Sequence, residues 1–134
     1  MFGSNFIKEE AYSRDNWIAF LENEARAMFA LYQGETLVGL SGATLKKDNP
    51  ATALFFASFI NPGHRGNGLS KLFYEARIDW AKNKNCQSIV VSHRDGNELS
   101  KAAILRYGFA FTHAEEVAWP DGKNADELAY SLQL

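Results

Sequence analysis

At 134 residues and 46% hydrophobic, the chain is long enough to bury a core of its own without a disulfide or metal to hold it together. A net charge of −2 gives no global electrostatic case for nucleic acid, and no apolar run approaches the ~20 residues of a membrane helix. Asn5, Lys8, Glu9 and Glu10 interrupt any basic-then-apolar leader, and the single Cys86 allows neither an internal disulfide nor a cysteine-based metal site. One domain over 1–134, in the reducing cytoplasm, is therefore expected. Cys86 opens an apolar run and reads as a buried structural thiol rather than a nucleophile.

The elements follow from periodicity. Asn5 to Lys8 offers at best a short first strand. Ser13 to Ala27 reads as a helix capped by Ser13 or Asp15, with Trp17, Ile18, Phe20, Leu21, Ala25 and Met28 on its apolar side. Phe29 to Tyr32 and Thr36 to Leu45 read as two strands of an antiparallel hairpin turned at Gln33-Gly34-Glu35. After the polar loop Lys46 to Pro50, Thr52 to Ile60 is nearly all apolar, as a central strand covered on both faces would be. A helix then sets Leu69, Leu72, Phe73, Ala76 and Trp80 on one stripe, with Lys71, Glu75, Arg77 and Asp79 outside it. Ser88 to Ser92 is a short buried strand, parallel to 52–60 if the helix between them is a right-handed crossover. Asn97 or Asp95 caps a further helix through Tyr107, which Gly108 ends in a left-handed cap. Phe109 to Val117 and Leu128 to Leu134 make a last hairpin around the loop Trp119 to Asn124. There is no repeat, low-complexity segment or linker.

The chemistry concentrates where the apolar strand ends: Phe59-Ile60-Asn61-Pro62-Gly63-His64-Arg65-Gly66-Asn67-Gly68-Leu69-Ser70. The first backbone N–H groups of a helix have no intrahelical partner and carry partial positive charge. Gly66 and Gly68 let a phosphate approach them, and Arg65 adds a cation, so the segment reads as a phosphate cradle. A P-loop is excluded because Leu69-Ser70-Lys71 has its residues in the wrong order, and a dinucleotide fingerprint because Lys71 stands at its third glycine. A protein using this loop for ATP or NAD is accordingly disfavoured.

What remains resembles the coenzyme A loop of the N-acetyltransferases of the GNAT family, Arg/Gln-x-x-Gly-x-Gly/Ala. Arg65 and the first required glycine match, while Ser70 takes the place of the final small residue. Ile60-Asn61-Pro62 is similar to the hydrophobic-x-Pro preceding that loop, and Asn97 followed by a helix and Gly108-Phe109 is similar to the family's Asn…Gly-Phe element. The resemblance covers roughly Met28 to Leu134. It implies an α/β (α+β) acyl-CoA N-acyltransferase-like fold: a central mixed, mostly antiparallel sheet with a splayed parallel strand pair, flanked by helices. It also implies acetyl-CoA as co-substrate, with no metal, and acetyl transfer by direct attack of a primary amine of a small molecule or peptide. Coenzyme A would be held by Phe59, Ile60, Arg65, Gly66, Asn67, Gly68, Leu69, Ser70 and Asn97, although Asn97 reads equally well as a plain helix cap.

The sequence departs from the family in three ways. The tyrosine that protonates the leaving thiolate is replaced by Ile104; Tyr107, one turn on, is either its substitute or an aromatic core residue, with the core reading preferred. No glutamate stands on 52–60, where Ser58 is the only polar side chain after Thr52. That leaves Glu35, His93, Asp95 or the Glu9-Glu10 pair as candidate bases, or water itself. His93 reads as a solvated loop residue, His64 as shaping the phosphate loop and His113 as structural; the three lack metal-ligand spacing. Third, few residues precede Met28, so the front wall of the acceptor site is short, leaving it open or covered by a second subunit of a homodimer. A backbone N–H exposed by a bulge near Phe59 or Ile60 would serve as oxyanion donor. The alternative to an enzyme is a non-catalytic acyl-CoA-binding module of the same fold.

Overall fold

Side-chain alternation builds the first half of the molecule. In β3 (Arg26–Gln33), Ala27, Phe29 and Leu31 are buried while Met28, Ala30 and Tyr32 are only partly so, the pattern of a strand with one face on a core. The computed structural model describes residues 6–11, 16–64 and 69–134, with the backbone alone described at 6–11, 16, 17, 20, 57, 58 and 64. β1 (Phe6–Ala11), β2 (Asn16–Glu22), β3, β4 (Thr36–Leu45) and β5 (Thr52–Ile60) form an antiparallel meander. β5 then pairs in parallel with β6 (Ser88–Arg94), which pairs antiparallel with β8 (Asn124–Gln133), and β7 (Ala110–Ala118) closes the far edge beside β8. Two α-helices, α1 (Ser70–Asn83) and α2 (Glu98–Arg106), and a short 3₁₀ turn complete the described elements. The mixed, mostly antiparallel sheet with one parallel pair is the expected architecture.

The helix expected over 13–27 is not formed. Residues 16–22 are strand β2, paired with β3 in the register Ile18↔Leu31, Phe20↔Phe29 and Glu22↔Ala27. The first strand runs to Ala11, past the Lys8 expected. The turn that makes a hairpin of this region is set by Asn23, whose Oδ1 accepts from the N–H groups of Ala25 (2.9 Å) and Arg26 (2.8 Å), an Asx turn. Glu22 is a polar residue at an inward position of β2. It is buried and accepts a 2.7 Å bond from Trp80 Nε1 on α1, with Lys84 Nζ 3.9 Å away.

α1 presents the stripe read from the sequence, with Phe73 fully buried and Leu72, Ala76 and Trp80 in the same core. Arg77 corrects that reading: it is 1% exposed and, among the described residues, the largest fully buried side chain. α2 joins α1 through the stacked rings of Tyr74 and Tyr107, 5.0 Å apart, and Phe109 packs on both Phe55 and Tyr74. Gly108 takes φ +87°, the left-handed cap expected after α2. Cys86 is buried, and that burial raises its thiol pKa. The last strand starts at Asn124, four residues before the expected Leu128.

Candidate functional site

A gap opens in the middle of the sheet. β5 and β6 pair only through Thr52↔Ser88, Ala53↔Ile89 and Leu54↔Val90, yet β5 continues to Ile60 and β6 to Arg94. The two strands part after Leu54 and Val90, with the closed end pinned by the 3.0 Å bond between the hydroxyls of Thr52 and Ser88. On its other side β5 is irregular too. The register with β4 shifts by one residue between Leu40↔Phe59 and Gly42↔Phe56, setting Ala57 and Ser58 opposite Ser41. This is the bulge expected near Phe59 or Ile60, placed just before them. Phe59 and Ile60 themselves pair regularly, because Gly39 lets the strands come close: a Cβ there would stand 2.7 Å from the Phe59 carbonyl oxygen.

Beyond the bulge the chain is tied down. Asn61 donates its backbone N–H to the Val38 carbonyl (2.8 Å) and Nδ2 to the Leu37 carbonyl (3.2 Å). A 3₁₀ turn over Pro62–His64 leads toward α1. Arg65, Gly66, Asn67 and Gly68, the heart of the expected cradle, lie outside the described residues, as does the side chain of His64. On the far side of that segment, Leu69 is buried at the N-cap of α1, Ser70 begins the helix, no side chain among the described residues caps it, and its first turn holds no acid. An uncapped, acid-free N-terminus is the kind that receives an anion. Phe59, Ile60, Leu69 and Ser70 thus flank the segment from the end of β5 and the start of α1. Asn97 follows the C-terminal end of β6, where its Oδ1 accepts from Ser100 N–H at 3.2 Å as the N-cap of α2.

The acid–base candidates are dispersed. Tyr107 donates its hydroxyl to the Lys71 carbonyl in the first turn of α1, at 3.3 Å, while its ring lies on Tyr74. Burial pushes its phenol up, Glu75 adds to this and Arg106 opposes it, so it stays protonated at neutral pH. Ile104, at the position of the family's tyrosine, is 1% exposed. His93 is not a solvated loop residue: β6 extends through it, and its buried ring stacks on Tyr130 at 5.3 Å. Its Nδ1 lies 2.7 Å from the Arg94 carbonyl and must donate there, and in the neutral ring Nε2 then accepts from the Tyr130 hydroxyl at 2.9 Å. Both ring nitrogens are thereby committed. Glu35 is exposed in the β3–β4 turn, Asp95 is exposed after β6, and His113 lies exposed on β7, 3.6 Å from Glu115. Glu9 and Glu10 belong to β1, and their side chains are outside the described residues.

This placement supports the core reading of Tyr107. Tyr107→Phe is expected to keep turnover and to lose only about 0.5–1.5 kcal/mol of stability with the hydrogen bond. Tyr107→Ala is expected to cost about 3 kcal/mol through the lost stack. Melting curves and steady-state rates on the two variants check this; a large rate loss in the phenylalanine variant at parental stability would make the phenol a proton donor.

The model of the Acetyltransferase (GNAT) family matches residues 2–109 of the chain. No curated protein matches it. Among solved structures, yncA of Salmonella typhimurium with its cofactor acetyl-CoA aligns at a TM-score of 0.74 and 19% identity, over 81% of this chain and 65% of that one. The IAA acetyltransferase of Bacillus cereus aligns at 0.70 and 16%, over 83% and 79%. The ribosomal-protein-S18-alanine N-acetyltransferase of Escherichia coli aligns at 0.71 and 18%, over 84% and 71%. This chain therefore spans just under two thirds of the Salmonella protein, and at these identities the likeness is one of fold.

Proposed function

Because the chain belongs to the acetyltransferase (GNAT) family, with the family's acyl-CoA N-acyltransferase-like sheet, we propose that it transfers an acetyl group from acetyl-CoA to a primary amine of a small molecule or peptide. The observation that carries this reading is the parting of β5 and β6 after three residue pairs, beside a bulge and ahead of an uncapped helix N-terminus. The gap suits a long, thin cofactor with amide groups along it: strand backbone freed from pairing offers the donors and acceptors that such amides need. Arg65, Gly66, Asn67, Gly68, Leu69 and Ser70 would hold the phosphates at the start of α1.

Bound acetyl-CoA supplies the acetyl group in activated form, as a thioester. The chain's part is to hold the amine at the carbonyl carbon and to donate hydrogen bonds to the carbonyl oxygen, a role that suits backbone at the Ala57–Ser58 bulge. In the transfer a C–N bond forms, the C–S bond breaks, the electron pair leaves on sulfur, and the proton lost by nitrogen goes to water and then to the thiolate. No described side chain is required as base: β5 carries no carboxylate, and His93 is committed to Arg94 and Tyr130. Buried Ile104 at the tyrosine position and the engaged Tyr107 hydroxyl favour one competing reading, an acyl-CoA-binding module without catalysis.

Two measurements test the proposal. Acetyl-CoA at about 100 times its Kd is expected to stabilise the fold by about 2.7 kcal/mol, read as a rise in Tm, and ATP or NAD is not. Arg65→Ala is expected to weaken that binding by the ~1.5–3 kcal/mol of a charge-assisted bond, without a change in Tm of the free protein. An unchanged Tm with acetyl-CoA sinks the reading, whereas binding without turnover over a panel of amines selects the non-catalytic module.

A further inference from the structure

Arg77 is a buried cation with no carboxylate paired to it among the described residues. Its Nε donates to the Phe73 carbonyl of its own helix at 3.3 Å and its Nη1 to the Gly42 carbonyl of β4 at 3.4 Å, while Nη2 has no hydrogen-bond partner. The guanidinium carbon lies 4.4 Å from the centre of the Phe55 ring and 4.8 Å from that of Tyr74. Burial pushes its pKa down to about 10, while the charge and side-chain hydrogen bonding of the Tyr74 phenol beside it pull the other way, so it is charged at neutral pH. Glu22, the buried carboxylate among the described residues, is bound to Trp80 and Lys84. Burying a charge without an opposite charge is costly, and an apolar side chain of similar volume usually serves stability as well or better.

The position of this charge is specific. Phe55, under the guanidinium, is the first β5 residue past the last pair with β6. Gly42, whose carbonyl the guanidinium holds, faces Phe56 in the last regular pair before the bulge. A second buried polar atom without a partner, Ser41 Oγ, belongs to the residue opposite the bulged Ala57 and Ser58. The two unpartnered groups thus belong to Ser41 and to the side chain held by its neighbour Gly42, beside the stretch where β5 loses regular pairing.

We infer that Arg77 is a positioning residue of the gap between β5 and β6, its positive charge favouring the negative charge that appears there when the acyl–sulfur bond breaks. Its counterion is the thiolate and the charged carbonyl oxygen of the transfer, present only while the reaction runs. The inference rests on the acetyl-CoA reading above. It differs from a packing role in one consequence: removing the charge leaves the fold intact and changes the chemistry of a bound thiol.

The test compares the parent with Arg77→Met and Arg77→Lys. Coenzyme A binding is measured by calorimetry, the pKa of the bound thiol by its ultraviolet thiolate absorbance, and kcat and KM with acetyl-CoA. A unit charge acting across roughly 10 Å at an effective dielectric of ~20 moves a pKa by about one unit. The methionine variant is therefore expected to keep or raise Tm and to keep coenzyme A affinity. Its bound thiol should titrate about one unit higher, and kcat should drop by roughly tenfold at constant KM. The lysine variant, which retains the charge, is expected to recover most of both effects. Unmoved thiol pKa and kcat in a folded methionine variant overturn the inference, as does a loss of Tm and rate together that lysine leaves unrepaired. A parent that binds coenzyme A but transfers nothing overturns the transferase reading alone, since the thiol shift still supports Arg77. A parent that binds no coenzyme A overturns both.

Discussion

Trp80→Ala is expected to cost about 3–5 kcal/mol from the cavity alone, a large part of the 5–15 kcal/mol that holds a domain of this kind together. Trp80 is 4% exposed, and its loss also removes the 2.7 Å donor of Glu22. A buried carboxylate left without its donor adds roughly 1–3 kcal/mol, which Lys84, 3.9 Å away, offsets only in part. Trp80→Phe separates the two contributions, keeping most of the ring volume while deleting the N–H. Urea unfolding is the measurement: the midpoint should drop in both variants, much further in the alanine one, with the slope unchanged. A phenylalanine variant as stable as the parent would show that the Trp80 N–H adds nothing to the stability of the Glu22 site.

Gly39→Val is expected to damage stability and the site together. A Cβ at this position stands 2.7 Å from the Phe59 carbonyl oxygen and 3.0 Å from the Phe73 ring. The ring can yield a little. The carbonyl is backbone, and moving it pulls apart the Gly39↔Ile60 and Leu40↔Phe59 pairs that stand between the bulge and the mouth of the gap. Overpacking of this kind costs ~1–3 kcal/mol, and the two γ-methyls of valine add to the conflict. Acetyl-CoA affinity should drop more than tenfold beyond what the stability loss explains, since over ~1.4 kcal/mol of strand backbone contact is displaced. Circular dichroism melting and calorimetric titration check both parts. Parental affinity in the folded variant would exclude the Phe59–Ile60 backbone from the cofactor site.

The sequence was legible where one period left no rival. β5 is a continuous apolar run bounded by Pro50 and Pro62, α1 carries a stripe at helical spacing, and α2 is enclosed by Asn97 and Gly108; each lies where expected. Residues 13–27 were ambiguous because the pairs Trp17-Ile18 and Phe20-Leu21 suit one side of a helix as well as the alternation of a strand. The residue that decides it, Glu22, takes its partner 58 positions away, at Trp80. Arg77 was misplaced for a similar reason: charge argues for solvent, and only the β4 carbonyl and the Phe55 ring hold it inside. His93 likewise needed Tyr130, on a strand 37 positions later, to be recognised as interior. The candidate site was legible as a glycine loop and a broken strand, but its acids and bases were not, since their environments are set by distant partners.

The seam of three residue pairs between β5 and β6 divides the sheet into blocks of very different kinetic character. From β1 to β5 each strand pairs with its neighbour in sequence, so the contacts are local and their loop-closure cost is small, the condition for rapid assembly. The β6–β8–β7 block reaches that meander through the crossover helix, the seam and the contact of Phe109 with Phe55, all of them long-range in sequence. Amide hydrogens of Ala53, Leu54, Ile89 and Val90 should consequently exchange through openings smaller than global unfolding, while those of β3 and β4 wait for the whole molecule to open. The fissure that would receive acetyl-CoA lies along this short joint, so occupancy would slow exchange there first.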